Sequence, residues 1–82
     1  MDDTTLFEVE DLNPEEIDRI VKEVYQSLEE KGYNAVNQLV GYIISGDPGY
    51  VSSNGEARTK IASISRIKLT EVILKRYLDQ IK

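Results

Sequence analysis

The sequence predicts an all-α fold: a compact domain of three to four helices in a helix-turn-helix-like arrangement behind a flexible acidic leader. Three observations carry that reading. Apolar residues recur at three- and four-residue spacing in separate segments, and Asn, Pro, Ser and Gly stand where helix ends need them. In addition, no run alternates apolar with polar residues as a half-buried strand does. At 82 residues the chain has room for one core, assigned to residues 13–82, with 1–12 as the leader.

Residues 1–12 show no helical period and many charges, so they read as a mobile tail. The first helix opens at Asn13-Pro14-Glu15-Glu16. Asn13 is the N-cap, Pro14 takes the first helical position, and Glu16 at the third completes a capping box. Ile17, Ile20, Val21, Val24, Tyr25 and Leu28 then form one stripe, and Lys31-Gly32 ends it with a left-handed glycine.

Asn34 is the next expected cap, followed by Val36, Leu39, Val40, Ile43 and Ile44 at helical spacing. Gly41 inside this pattern costs about 1 kcal/mol relative to Ala; a close approach of another helix or a turn would explain it. Gly46-Asp47-Pro48-Gly49 forms a turn, and Ser52-Ser53-Asn54-Gly55 a loop. Ala57, Ile61 and Ile64 mark a short third helix, with Ser65 capping a fourth. That last segment carries Leu69, Val72, Ile73, Tyr77 and Ile81 as its expected core stripe, widened by Leu74 and Leu78.

Composition narrows the chemistry. There is no Cys and no His, which removes disulfides, thiolate sites and imidazole metal sites. No metal or other cofactor is expected. A domain this small then gains stability from close helix packing or from a homodimer. No apolar run approaches the roughly 20 residues of a membrane span, and the acidic start is unlike a signal peptide, so a cytoplasmic protein is expected.

Enzyme chemistry finds little support. Without His or Cys, nucleophilic catalysis would need a Ser–Lys pair, and the segment SISRIK at 63–68 reads better as a cap followed by solvated cations. Glu15-Glu16 and Glu29-Glu30 lie where helix ends and helix surfaces normally carry charge. The Gly-rich stretch 45–55 lacks the Lys-Ser/Thr of a phosphate loop.

Charge is unevenly spread. Residues 1–20 hold eight acids against Arg19, a net −7, whereas 54–82 hold seven Lys or Arg against three acids, a net +4. A helix-turn-helix nucleic-acid binder using Arg58, Lys60, Arg66, Lys68, Lys75 and Arg76 is the alternative function. An acidic leader, which duplex phosphates would repel, argues against it. The leader offers another reading. Thr4 and Thr5 in DDTTLFEVE are accessible acceptors, and a phosphate there adds roughly −1.5 to −2 charge that Arg side chains of the basic half can receive.

A longer pattern sharpens these readings. VYQSLEEKGYNAVNQLVGYIISGDPGYV at 24–51, followed by Ala57-Arg58, Ile61, Arg66 and Lys75-Arg76-Tyr77-Leu78, resembles the IreB/ReoM family of small regulatory phosphoproteins of Gram-positive bacteria. The resemblance implies an all-helical homodimer with a phosphoacceptor tail at 1–12 and a dimerisation and regulatory domain at 13–82. It also implies a non-enzymatic substrate of a PASTA-domain Ser/Thr kinase and its cognate phosphatase, controlling the cell-envelope stress response and antibiotic resistance. The implied output is ClpCP-dependent turnover of MurA in peptidoglycan synthesis.

The family tail pattern D-x-T-x-x-[FY] falls on Asp2 to Phe7, making Thr4 the primary acceptor and Thr5 the second. Arg58 and Arg66 match arginines of the family and become the expected effector surface. The chain departs at Ala35, where the family has Pro, and at Ser52-Ser53, where it has Pro-Arg. It departs again at Ala62 and Ser65–Lys68, in place of an arginine and an acidic run. Tyr33, Asn37, Gln38, Tyr42 and Tyr50 are more polar or aromatic than caps and turns require. They are interface candidates, with the tyrosines as half-buried core the open alternative.

Overall fold

A computed structural model describes residues 12–81, so the expected leader, with Thr4 and Thr5, lies outside the described residues except for Leu12. Leu12 had been read as the end of the tail, yet it packs against the core. The described residues form four helices: α1 (Pro14–Glu30), α2 (Ala35–Ser45), α3 (Ala57–Ala62) and α4 (Arg66–Ile81). Two short 3₁₀ turns, Pro48–Tyr50 and Asn54–Glu56, join α2 to α3.

The expected helix ends are present. Asn13 Oδ1 accepts from the Glu16 amide at 2.8 Å while Glu16 Oε1 accepts from the Asn13 amide at 3.0 Å, closing the capping box. At the other end of α1, Gly32 takes a positive φ of 77°, and the Tyr33 amide reaches back to the Leu28 carbonyl at 3.0 Å. Asn34 Oδ1 caps α2 through the Asn37 amide, and Ser65 Oγ caps α4 through the Lys68 amide. Each cap satisfies amides that a helix start otherwise leaves without partners.

The core is a single apolar cluster. Ile17, Ile20, Val24 and Leu28 line the buried face of α1; Ala35, Tyr42, Val51, Ala57, Ile61, Ile64 and Leu69 complete it. No polar or charged residue is buried among the described residues, Tyr42 being counted with the apolar core. Ile64, expected inside the third helix, instead sits in the turn between α3 and α4 and plugs the core from there.

Three expected stripes are corrected. In α1, Tyr25 is half exposed and Val21 is only partly buried. In α2 the buried residues are Ala35 and Tyr42, with Leu39 and Ile43 packed beside them, while Val36, Val40 and Ile44 face outward. The aromatic ring has the larger apolar area to bury, and it rotates the helix accordingly. In α4 only Leu69 is fully buried and Val72 packs partly against it; Ile73, Leu74, Tyr77, Leu78 and Ile81 are exposed.

Gly41 is explained by neither a helix crossing nor a turn. A Cβ there would stand 2.7 Å from Cδ1 and 3.1 Å from Cβ of Tyr50, so the residue must be glycine for that ring to lie on α2. The chain doubles back through Gly46, at φ 77°, and the 3₁₀ turn that Asp47 caps by accepting from the Gly49 amide at 2.8 Å.

Candidate functional site

The candidate residues fall into three places: the loop between α2 and α3, the junction of α2 with α4, and the outer face of α4.

The second half of the loop is fastened by side chains. Gln38 Oε1 accepts from the Ser52 amide at 2.8 Å, and Arg58 Nε donates to the Val51 carbonyl at 2.8 Å. Asn54 Nδ2 donates to the Ser27 carbonyl at 2.7 Å, tying the loop to α1. Gln38 and Arg58 therefore have structural tasks that a sequence reading cannot see, because their partners lie 14 and 7 residues away. Asn54, which the sequence reading left in a loop, is as well engaged as either.

At the junction, the Tyr42 hydroxyl donates to the Ile64 carbonyl at 2.7 Å, and the residue is only 5% exposed. Tyr42 is thus a core residue with a satisfied hydroxyl and is withdrawn as an interface candidate. Arg66 Nη1 donates to the carbonyls of Ile44 at 3.0 Å and Ile43 at 3.3 Å, at the C-terminal end of α2. A cation there meets the negative end of the helix dipole as well as carbonyls that lack helical partners. Arg66 remains exposed, so the rest of its guanidinium still faces outward.

Burial raises the Tyr42 phenol above its usual pKa, against a smaller lowering by the Arg66 charge. The neutral phenol is then the form that the folded state prefers. Its contribution is complete below the unfolded value near pH 10 and is lost as pH rises through the higher folded value. Tyr42→Phe should cost about 1 kcal/mol at neutral pH by leaving the Ile64 carbonyl without its donor. That deficit should shrink as pH rises above the unfolded value near 10, read as the difference in melting temperature between the two proteins. A deficit unchanged by pH would show that the phenol's ionisation is not coupled to folding.

Of the remaining interface candidates, Tyr33, Asn37 and Tyr50 are exposed. Tyr50 has one side of its ring against Gly41. Of the six cations considered for nucleic acid, five are engaged within the chain. Arg58 and Arg66 hold carbonyls; Lys60 pairs with Glu23 at 3.5 Å, Lys68 with Glu71 at 3.5 Å, and Arg76 with Asp18 at 2.6 Å. Among the described residues no cluster of acids could hold a metal ion, and no helix is long and apolar enough to cross a membrane.

The outer face of α4 was not expected, because Leu74, Leu78 and Ile81 were assigned to the core and Ile67 to no stripe. Ile67, Leu74, Leu78 and Ile81 follow one another at offsets of 7, 4 and 3 on one side of the helix, opposite the buried Leu69. Ile67 is 75% exposed and Leu74 is 51% exposed. Between this face and α2 runs a shallow groove whose walls include Ile43, Ile67, Thr70 and Leu74. Large apolar residues sharing one face of a small domain mark an interaction surface.

A four-helix body with a fastened central loop and an exposed apolar face presents surfaces for contact. Of the motif residues, Gln38, Gly41, Asp47 and Tyr50 serve that loop, while Asn34 caps the start of α2. The family model described as IreB regulatory phosphoprotein matches residues 2–79, which takes in the leader, the loop and most of α4. The chain therefore belongs to the IreB family of regulatory phosphoproteins.

Proposed function

We propose that this regulatory phosphoprotein is a cytoplasmic, non-enzymatic homodimer. A PASTA-domain Ser/Thr kinase phosphorylates it on Thr4, with Thr5 as the secondary acceptor, and a cognate phosphatase reverses the modification. The unphosphorylated form restrains cell-envelope synthesis through ClpCP-dependent turnover of MurA, and phosphorylation relieves that restraint. The observation that carries this reading is the family match beginning at residue 2, which brings DDTTLF inside the matched region.

The chemistry asks little of this chain. The kinase supplies the catalytic groups, and the leader supplies a threonine hydroxyl whose oxygen bonds to the γ-phosphorus of ATP as the bond to ADP breaks, its proton passing to a base of the kinase. The added charge changes what the body presents to a partner. The homodimer reading is supported by the apolar face of α4, together with Val36, Val40 and Ile44 exposed along α2. Arg66 joins α2 to α4 beside that face, so an effector touching Arg66 contacts the junction between them.

The direct test incubates the full chain with such a kinase domain and ATP, then maps the phosphate by mass spectrometry. Phosphate is expected on Thr4, and Thr4→Ala should remove most of it. Finding neither Thr4 nor Thr5 modified would end the phosphoacceptor reading.

A further inference from the structure

The helix α4 has a second surface, adjoining its apolar face along Leu74 and Leu78. Beside the start of α1, a shallow groove is lined by Pro14, Lys68, Glu71, Val72, Leu74, Lys75 and Leu78. Its floor is apolar: Val72 is partly buried, and Leu78 is half-exposed. Its rim carries two lysines, Lys68 and Lys75, against one acid, Glu71. Lys75 has no ion-pair partner among the described residues, and Lys68 pairs only with the exposed Glu71 at 3.5 Å, a contact easily exchanged.

The geometry points to one occupant for this groove: residues 1–11 of the same chain. Three observations converge on it. Leu12 packs on the core and Pro14 forms part of the groove wall, so the described chain begins within two residues of the groove. Those eleven residues carry Asp2, Asp3, Glu8, Glu10 and Asp11 with no Lys or Arg, complementary to the lysine rim. They also carry Leu6, Phe7 and Val9 among the acids, an apolar set for the apolar floor.

The reach is sufficient. Phe7 lies five residues before Leu12, which allows up to about 17 Å of extended chain. The helix from Lys68 to Leu78 rises only about 15 Å. A short tether also gives an effective concentration on the order of millimolar, so a weak contact is enough to populate the docked form. This inference rests on the phosphoacceptor reading in one respect: a phosphate on Thr4 adds negative charge to a segment facing lysines, so phosphorylation raises the docked population. The leader then acts on the body by covering one side of α4.

Because the chain has no cysteine, Thr5→Cys accepts a single nitroxide label in the full-length protein. Docking in cis predicts loss of amide NMR signals across residues 68–78, recovered when Lys75→Glu is added or when salt is raised to screen the charges. Lys75 is exposed, so that change leaves the fold intact. Loss confined to the residues next to Leu12 would overturn the proposal. So would loss seen only when spin-labelled chains are mixed with isotope-labelled ones, since the leader would then dock on a second copy. Phosphate mapping stays a separate readout. A chain that docks but accepts no phosphate sinks the phosphoacceptor reading alone, and one that is phosphorylated without docking sinks this inference alone.

Discussion

Replacing Ile67 and Leu74 together by Glu should leave a folded monomer, where the wild-type chain is expected to sediment as a dimer. Both side chains are at least half exposed in the single chain, so two carboxylates there cost the monomer little. In a symmetric interface each face meets its own copy, so every substitution is felt twice. Desolvating an unpaired carboxylate costs several kcal/mol. Even about 3 kcal/mol weakens association roughly a hundredfold. Sedimentation at micromolar concentration should give about twice the 9.3 kDa chain mass for wild type and the single mass for the variant, with unchanged helical circular dichroism. A wild-type chain that sediments as a monomer would remove the dimer from the proposed function.

The second large effect is expected in the core. Ile61 is fully buried, projecting from α3 into the same cluster as the apolar stripe of α1. The helix α3 is only six residues long, so its position depends on tertiary packing rather than on its own helical stability. Ile61→Ala should cost about 2–5 kcal/mol through lost burial and the cavity left behind. For a domain of this length, total stability is roughly 4–12 kcal/mol. The melting temperature should therefore fall by roughly 10–30 °C. A fall of only a few degrees would mean that α3 collapses onto the vacated space. Losing α3 would also release Arg58 from the Val51 carbonyl and loosen the loop that the family motif builds.

These two substitutions separate what periodicity reveals from what it hides. Ile61 and the α1 stripe, apart from Tyr25 at its edge, were readable because a helix with one apolar face has one plausible inside. The last helix has apolar residues on two sides. Leu69 and Val72 lie toward α1, while Ile67, Leu74, Leu78 and Ile81 lie away from it. Hydrophobic spacing counts both sets and cannot tell which neighbour covers them. The same ambiguity put Val36, Val40 and Ile44 in the expected core and left Tyr42 as an interface candidate. In the folded chain Tyr42 goes inward because the Ile64 carbonyl is there to receive its hydroxyl.

Local signals were read correctly where their partners are local. Asn13 with Glu16, Asn34 with the Asn37 amide and Ser65 with the Lys68 amide each act across three residues, a separation fixed by helix geometry. Gly41 was noticed, but its reason was not, since Tyr50 reaches it only after the chain has turned through Gly46 and Pro48. Arg66 was singled out as a surface residue. Its bonds to Ile43 and Ile44 cross more than twenty residues and give it a structural role as well.

By itself the sequence determined the helices, their caps, the absence of thiol and imidazole chemistry, and the motif that marks the family. Those properties follow from residue type and from spacings within a few positions. Only the tertiary structure decided which apolar residues form the core, which remain on the outside of α4, and why the polar residues of the central loop are needed. Those outcomes depend on which atoms meet across long separations, and the packing of one helix against another sets that.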